Sequence, residues 1–180
     1  MRILIIYGTS EGQTRKISRF MEEVLQAEGH QVVIADATEE PPAPDAFDAV
    51  LVGSSIHAHK YHSAVKHYVQ ENLQNLNQMP TAFFSVCMAV AYDIEEEHRE
   101  AHNIAMEFLD KTGWNTHEVI QIAGALKYTQ YDYFKKLVMR MIAKKQGGAT
   151  DTSSDYEYTD WKAVKTFALR FVENIPAKAS

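Results

Sequence analysis

The first fourteen residues constrain the fold more than any other stretch. Ile3-Leu4-Ile5-Ile6-Tyr7 is a short, continuous apolar run rich in β-branched residues. Such a run reads as a strand buried on both faces, as in a parallel sheet. It leads into Gly8-Thr9-Ser10-Glu11-Gly12-Gln13-Thr14 and then a helical pattern. A buried strand, a Gly- and hydroxyl-rich loop and a helix in that order form the opening half of a βαβ unit. Its loop lies where α/β proteins bind phosphate.

The pattern continues along the chain. Ile17, Phe20, Met21, Val24 and Leu25 recur at helical spacing, and Gly29 ends that helix. Gln31–Ala35 is a second strand. Thr38–Asp45, with its three prolines, reads as a loop too short for a full helix. Ala49–Val52 is a third strand, ended by Gly53-Ser54-Ser55. Ser63–Leu76 is one helix, with Ala64, Val65, Tyr68, Val69 and Leu73 on its apolar face. Thr81–Val86 is a fourth strand. Glu95–Lys111 is a helix burying Ile104, Ala105, Phe108 and Leu109. His117–Ile122 is a fifth strand, and a last helix spans about Asp160–Glu173. Alternating strands and helices imply a parallel sheet covered on both faces. A chain of 180 residues fits one domain, 1–180.

More than thirty residues separate the fifth strand from the last helix. Ordinary connections in such folds have about 2–6. The stretch at about 125–158 is therefore an insertion, leaving from the strand edge where ligands bind. It contains Tyr131–Lys145, which reads as a helix, followed by the helix stop Gly147-Gly148. Phe134, Leu137, Val138, Met141 and Ile142 form an apolar stripe flanked by Lys135, Lys136, Arg140, Lys144 and Lys145. Lys127–Lys145 carries +5, leaving −11 for the rest of a chain whose net charge is −6. A basic amphipathic helix on an acidic protein suits an anionic ligand or a membrane surface; packing on the domain is the alternative.

The bulk properties exclude several classes. The negative charge disfavours general nucleic-acid binding. A lone cysteine, Cys87, allows no disulfide within the chain. No run approaches the ~18 apolar residues of a membrane span. A cytoplasmic location is expected.

The loop after the first strand has two readings. Gly12 offers backbone freedom and Thr9, Ser10 and Thr14 offer hydroxyls, which suits a phosphate at the helix N-terminus. A plain turn with a Ser/Thr cap is the bland alternative. The ATP-type loop needs a Gly-Lys-Ser/Thr end that is missing here, and the dinucleotide motif needs a third glycine. Asp36 ends the second strand and reads as a turn residue. A receiver domain needs acids where Tyr7-Gly8 stands.

Further side chains have competing readings. His57, His59 and His62 cluster after the third strand, but no nearby carboxylate or thiolate completes a metal site. A proton role for His57 or His62 near a ligand fits histidine's titration near neutrality. His98 and His102 share a helix face, with Arg99 where a zinc-protease motif needs glutamate. Tyr128, Tyr131 and Tyr133 suit stacking on a flat ligand or packing in the core.

The loop Thr9–Thr14 resembles the phosphate loop of flavodoxins, which bind FMN. The likeness extends to Gly53-Ser54-Ser55-Ile56 with Tyr61-His62-Ser63-Ala64, to Met79–Val86, Ile122–Tyr128 and Gly147–Thr152, and to Tyr158-Thr159-Asp160-Trp161. Together these blocks resemble the menaquinone-dependent protoporphyrinogen IX dehydrogenase family, including the insertion that ordinary flavodoxins lack. The resemblance implies a flavodoxin-like, doubly wound five-stranded parallel sheet of order 2-1-3-4-5, with a helical insertion after strand 5.

It also implies FMN as cofactor. Thr9, Ser10, Glu11, Gly12, Gln13 and Thr14 would hold the phosphate. Ser54, Ser55 and Ile56 on one side, and Ser85, Val86, Cys87 and Met88 on the other, would flank the isoalloxazine ring. Ala123, Gly124 and Ala125 would lie near the substrate side. The implied reaction removes six electrons and six protons from protoporphyrinogen IX, two electrons per cycle, and passes them through FMN to a quinone. Peripheral contact with the inner face of the cell membrane, through helix 131–145, would give access to that quinone. An electron carrier of the flavodoxin type and an FMN-dependent quinone reductase with another donor are the alternatives. The chain departs from the family pattern at Tyr92–Glu100, which is acidic where basic residues are expected, and at Cys87, where asparagine is expected.

Overall fold

The computed structural model describes residues 1–126 and 155–176. Strands β1 (Arg2–Gly8), β2 (Gln31–Asp36), β3 (Ala49–Ser55), β4 (Thr81–Cys87) and β5 (Glu118–Ala123) form one parallel sheet in the order β2-β1-β3-β4-β5. Helices α1 (Gln13–Ala27), α2 (Ser63–Glu71), α3 (Leu73–Leu76), α4 (Glu95–Thr112) and α5 (Trp161–Glu173) cover its two faces. The expected sheet order is the one observed. The chain steps one way from β1 to β2 and the other way to β3, which leaves a crevice beyond the ends of β1 and β3.

The central strands bury side chains on both faces because their neighbours alternate. Ile3, Ile5, Leu51 and Phe84 pack with Ile17, Met21 and Leu25 of α1 and with Val164 and Phe167 of α5. Leu4, Ile6, Val52 and Phe83 point the other way, toward Val65 and Val69 of α2, Phe108 of α4 and Trp114. The alternation is the two-residue period of a strand. Each fully buried large aliphatic contributes about 1.5–3 kcal/mol relative to its exposed state. The uninterrupted burial of Ile3–Ile6 therefore sets where β1 must lie.

Three local readings need correction. Gly53-Ser54-Ser55 does not end β3. The strand runs on to Ser55, because β1 and β4 both pair with it there, at Gly8↔Ser54 and Ser55↔Val86. Gly53 is a close approach rather than a stop, since a Cβ there would lie 2.0 Å from the Phe84 ring. Ser63–Leu76 is not one helix. Asn72 divides it, and both the backbone N–H and the side-chain amide of Asn72 donate to Tyr68 O. In α4, Ala101, Ala105, Phe108 and Thr112 are buried, whereas Ile104 and Leu109 are only partly covered.

Two other expectations hold. The β2–β3 connection contains only a short 3-10 turn, Pro44–Ala46. Asp36 is a turn residue, with Oδ1 accepting the Thr38 N–H and hydroxyl at 2.9 and 2.7 Å. Asp160 caps α5 by accepting the Ala163 N–H. A two-stranded antiparallel ladder, β6 (Ala125–Leu126) with β7 (Tyr156–Glu157), brackets the insertion. The segment Tyr131–Lys145, the glycine stop after it and Tyr128, Tyr131 and Tyr133 lie outside the described residues.

Candidate functional site: the cleft at the C-terminal edge

A cleft opens at the crevice that the strand order creates. The loop after β1 contributes Thr9, Ser10, Glu11, Gln13 and Thr14. Ser55, Ile56 and His57 come from the end of β3, and Val86, Cys87 and Met88 from the end of β4. Gly124 and Ala125 come from the turn after β5.

The loop's shape is local in origin. The Thr9 hydroxyl accepts the Gly12 N–H at 2.8 Å, which curls the loop. Gly12 adopts φ +88°, a left-handed conformation that glycine reaches without a Cβ penalty. It stands at the N-cap of α1, and no side chain caps that helix. The N-cap is thus a glycine rather than a Ser or Thr, and it supplies no side-chain acceptor to the first-turn N–H groups of α1. Those groups and the helix dipole favour an anion.

Two hydroxyls mark the interior of the cleft. Thr14 is fully buried, and neither its Oγ1 nor the buried Oγ of Ser55 has a hydrogen-bond partner among the described residues. Buried polar atoms are rarely left unsatisfied, because desolvation without a partner costs about 1–3 kcal/mol. Both side chains line the cleft. A polar ligand seated there would satisfy them.

The period-two alternation sorts the remaining predicted residues. Ser54 and Ser85 pair in register, as do Ser55 and Val86. Ser55 and Val86 line the cleft, while Ser54 and Ser85 are buried on the α2 side of the sheet. Ser54 Oγ accepts the His62 N–H at 3.1 Å, and Ser85 Oγ accepts the Tyr61 hydroxyl at 2.8 Å. These serines support the wall rather than form it. Gly12 and Ala123 likewise stand behind the lining, Ala123 as an acceptor for the Thr159 hydroxyl.

Burial governs the ionisation of the β4 wall. It pushes the Cys87 thiol up from its ordinary value, with backbone N–H groups of Val90 and Ala89 acting in the opposite sense. It also raises the Tyr61 phenol strongly, against the hydrogen bond to Ser85. Both groups stay protonated near neutral pH, so this wall carries no thiolate or phenolate.

The histidines separate in role. His57 lines the cleft. His62 Nδ1 accepts the Ala64 N–H at the start of α2. His59 Nδ1 lies 2.9 Å from Glu100 Oε1 on α4. His57 and Lys60 exchange backbone hydrogen bonds around Ala58 and His59, whose φ values are +48° and +62°. Two left-handed central residues are what a tight hairpin turn of the I′ kind needs, here without glycine.

Some supporting residues carry no signal in the local sequence. Gln13 Nε2 donates to Thr159 Oγ1, Lys16 Nζ lies 2.5 Å from Glu157 Oε2, and Trp161 Nε1 donates to Glu157 Oε1. These contacts tie the start of α1 to the chain as it returns from the insertion.

A family model described as a flavodoxin domain matches residues 4–153. The chain is 36% identical over 169 residues to a protein of Escherichia coli strain K12 named protoporphyrinogen IX dehydrogenase (quinone), with 93% of each chain covered. It is 30% identical over 182 residues to a Leishmania major protein of the same name, covering 94% of this chain and 74% of that one. Among solved structures, oxidised flavodoxin 1 from Bacillus cereus superposes with a TM-score of 0.60 at 15% identity, covering 98% of this chain and 100% of that one. A flavodoxin from the domain Archaea gives 0.56 at 13% identity, covering 97% and 99%.

Proposed function

We infer, for a chain that belongs to the flavodoxin-domain family and to the protoporphyrinogen IX dehydrogenases (quinone), an FMN-dependent oxidoreductase of haem biosynthesis. It takes electrons from protoporphyrinogen IX and passes them to a quinone. The observation that carries the placement of the cofactor is the pair of orphaned hydroxyls, Thr14 Oγ1 and Ser55 Oγ, in one cleft.

FMN, when bound, supplies reversible two-electron chemistry. The protein's part is to bind, orient and exclude water. Ser10 and Thr14 would offer hydroxyls to the phosphate, and the uncapped first turn of α1 would offer N–H groups. Thr9 keeps its hydroxyl proton free to donate while its oxygen holds Gly12. Glu11 and Gly12 would contribute backbone, and Gln13 would anchor the helix start through Thr159. Ser55 and Ile56 would flank the ring from the β3 side, and Val86, Cys87 and Met88 from the β4 side. Their apolar surfaces would keep water from the reacting face. Ser54 and Ser85 would brace these walls from behind. Ala123, Gly124 and Ala125 would border the side where substrate enters.

Peripheral contact with the inner face of the cell membrane would bring a lipid-soluble quinone within reach. The basic, apolar-striped sequence Tyr131–Lys145 is the segment proposed for it. No helix among the described residues is long and apolar enough to cross a membrane. Flotation with anionic vesicles is the test, and failure to float removes the membrane part of the reading.

The central experiment is a single anaerobic titration. The purified protein is expected to carry FMN, identified by spectrum and mass. Protoporphyrinogen IX is expected to bleach the flavin band, and a quinone to restore it. Protein without flavin overturns the reading. Flavin that protoporphyrinogen IX leaves oxidised moves it to an electron carrier.

A further inference from the structure

A second cleft, of about 320 Å³, lies between α2 and α4 on the far side of the 57–60 hairpin. Its volume falls at the lower end of the range for small-molecule sites, about 300–1,000 Å³. The floor is apolar, formed by Tyr61, Ile104 and Phe108. Tyr61 and Phe108 meet edge to face, with ring centroids 5.0 Å apart. The rim carries three ammonium groups, Lys60, Lys66 and Lys111, beside His59, and Glu107 is its one carboxylate.

The charges do not cancel. Glu107 is taken by Lys111, one turn away on α4. Glu100, nearby on the same helix, is taken by His59. Among the described residues, no carboxylate pairs with the ammonium of Lys60 or Lys66. Isolated surface lysines are ordinary. Two unbalanced lysines over a largely aromatic floor, on a chain of net charge −6, form a complement to an apolar body bearing carboxylates.

The acidic stretch does not oppose this reading. Glu95, Glu96 and Glu97 occupy the first turn of α4, where negative charge complements the helix dipole. Glu100 is directed at His59 of the hairpin, 2.9 Å away, rather than at the lysines.

We propose that this cleft seats the carboxylate-bearing edge of the tetrapyrrole substrate, with Lys60 and Lys66 pairing with its two carboxylates and Tyr61, Ile104 and Phe108 packing on its ring. The proposal rests on the reading that the electron donor is a porphyrinogen. The two clefts share one wall. His57 lines the first and Lys60 the second, and the two residues are hydrogen-bonded neighbours across the hairpin. Neighbouring strands stand only about 5 Å apart. A tetrapyrrole is wider than that, so one anchored at Lys60 extends over the hairpin toward the flavin cleft.

The test is a titration of the FMN-loaded protein with protoporphyrin IX, which stands in for the substrate and survives air. Lys60→Gln/Lys66→Gln is expected to weaken binding by about tenfold, and Lys60→Arg/Lys66→Arg to retain it. FMN affinity is expected to be unchanged, and so is affinity for the uncharged protoporphyrin dimethyl ester. In turnover, KM for protoporphyrinogen IX is expected to rise while kcat holds. Equal affinity of wild type and the glutamine variant for the free diacid overturns the proposal, as does absence of porphyrin binding by wild type. Oxidation of protoporphyrinogen IX with unchanged KM in the glutamine variant overturns the cleft and leaves the reaction standing. Lysine-dependent porphyrin binding without oxidation leaves the cleft standing and overturns the electron donor.

Discussion

Gln13 Nε2 donates to Thr159 Oγ1 at 2.9 Å, and Thr159 Oγ1 donates in turn to Ala123 O at 2.7 Å. One hydroxyl thus connects the first residue of α1, the end of β5 and the segment entering α5. It accepts from one partner and donates to the other, so a side chain without a hydroxyl breaks both links at once. Thr159→Val keeps the shape and loses both. It is expected to lower stability by about 1 kcal/mol and to weaken FMN binding, because the loop after β1 loses its brace. Thermal unfolding of the apoprotein and flavin titration check the two effects separately.

Thr14→Val has opposite consequences for stability and binding. The Thr14 hydroxyl is buried without a partner among the described residues. Removing it relieves an unpaid desolvation, so the apoprotein is expected to be as stable as wild type or more so, by up to about 1 kcal/mol. FMN affinity is expected to fall about tenfold, the cost of one hydrogen bond to a charged acceptor. A variant that loses stability while retaining flavin would contradict the assignment of this hydroxyl to the ligand.

Gly8→Ala tests how closely α2 must approach the end of β1. An added Cβ would lie 2.5 Å from Val65 Cγ2 and 2.9 Å from His62 Cβ. Overpacking of this kind costs about 1–3 kcal/mol. His62 also contacts Ser54, so the displacement is expected to reach the wall at Ser55 and Ile56 and to reduce flavin retention. Denaturant unfolding and the flavin content of the purified variant are the measurements.

Glu157 gives a pH dependence with a defined sign. Burial pushes its carboxyl up, but hydrogen bonds from Lys16 and Trp161, the Lys16 charge and a hydrogen bond from Gln13 outweigh that, and the net shift is below the ordinary 4.5. A carboxyl lowered by folding stabilises the native state above its unfolded value and loses that contribution as pH falls through its folded value. The wild-type advantage over Glu157→Gln is therefore expected to be full above pH 4.5 and to vanish in more acid solution. Melting temperatures of the two proteins across that range should converge at the acid end.

The shape of the loop after β1 was legible in the sequence because its causes are local. The hydroxyl of Thr9, the left-handed Gly12 and the start of α1 lie within a few residues of one another. The strands were legible for the same reason, since β-branched runs between turns announce themselves. The turn of Ser54 and Ser85 away from the cleft was encoded too, in the strand period, once the register with Ser55 and Val86 is known. The bracing contacts were not legible. Gln13 and Thr159 are 146 residues apart, and Lys16 and Glu157 are 141 apart, so no local pattern pairs them. The division of the helix at Asn72 depends on which acceptor its amide finds, and propensity alone does not decide that.

The short ladder of Ala125–Leu126 with Tyr156–Glu157 brings the two ends of segment 127–154 side by side. A segment whose exit and return are clasped at a common stem is a graftable module. Its contents can diverge, lengthen or be exchanged between homologues without altering the strand order or the path into α5. The same stem stands beside Gly124 and Ala125 at the mouth of the cleft. Changes confined to that segment would leave in place the loop after β1 and the ends of β3 and β4, which supply most of the cleft lining.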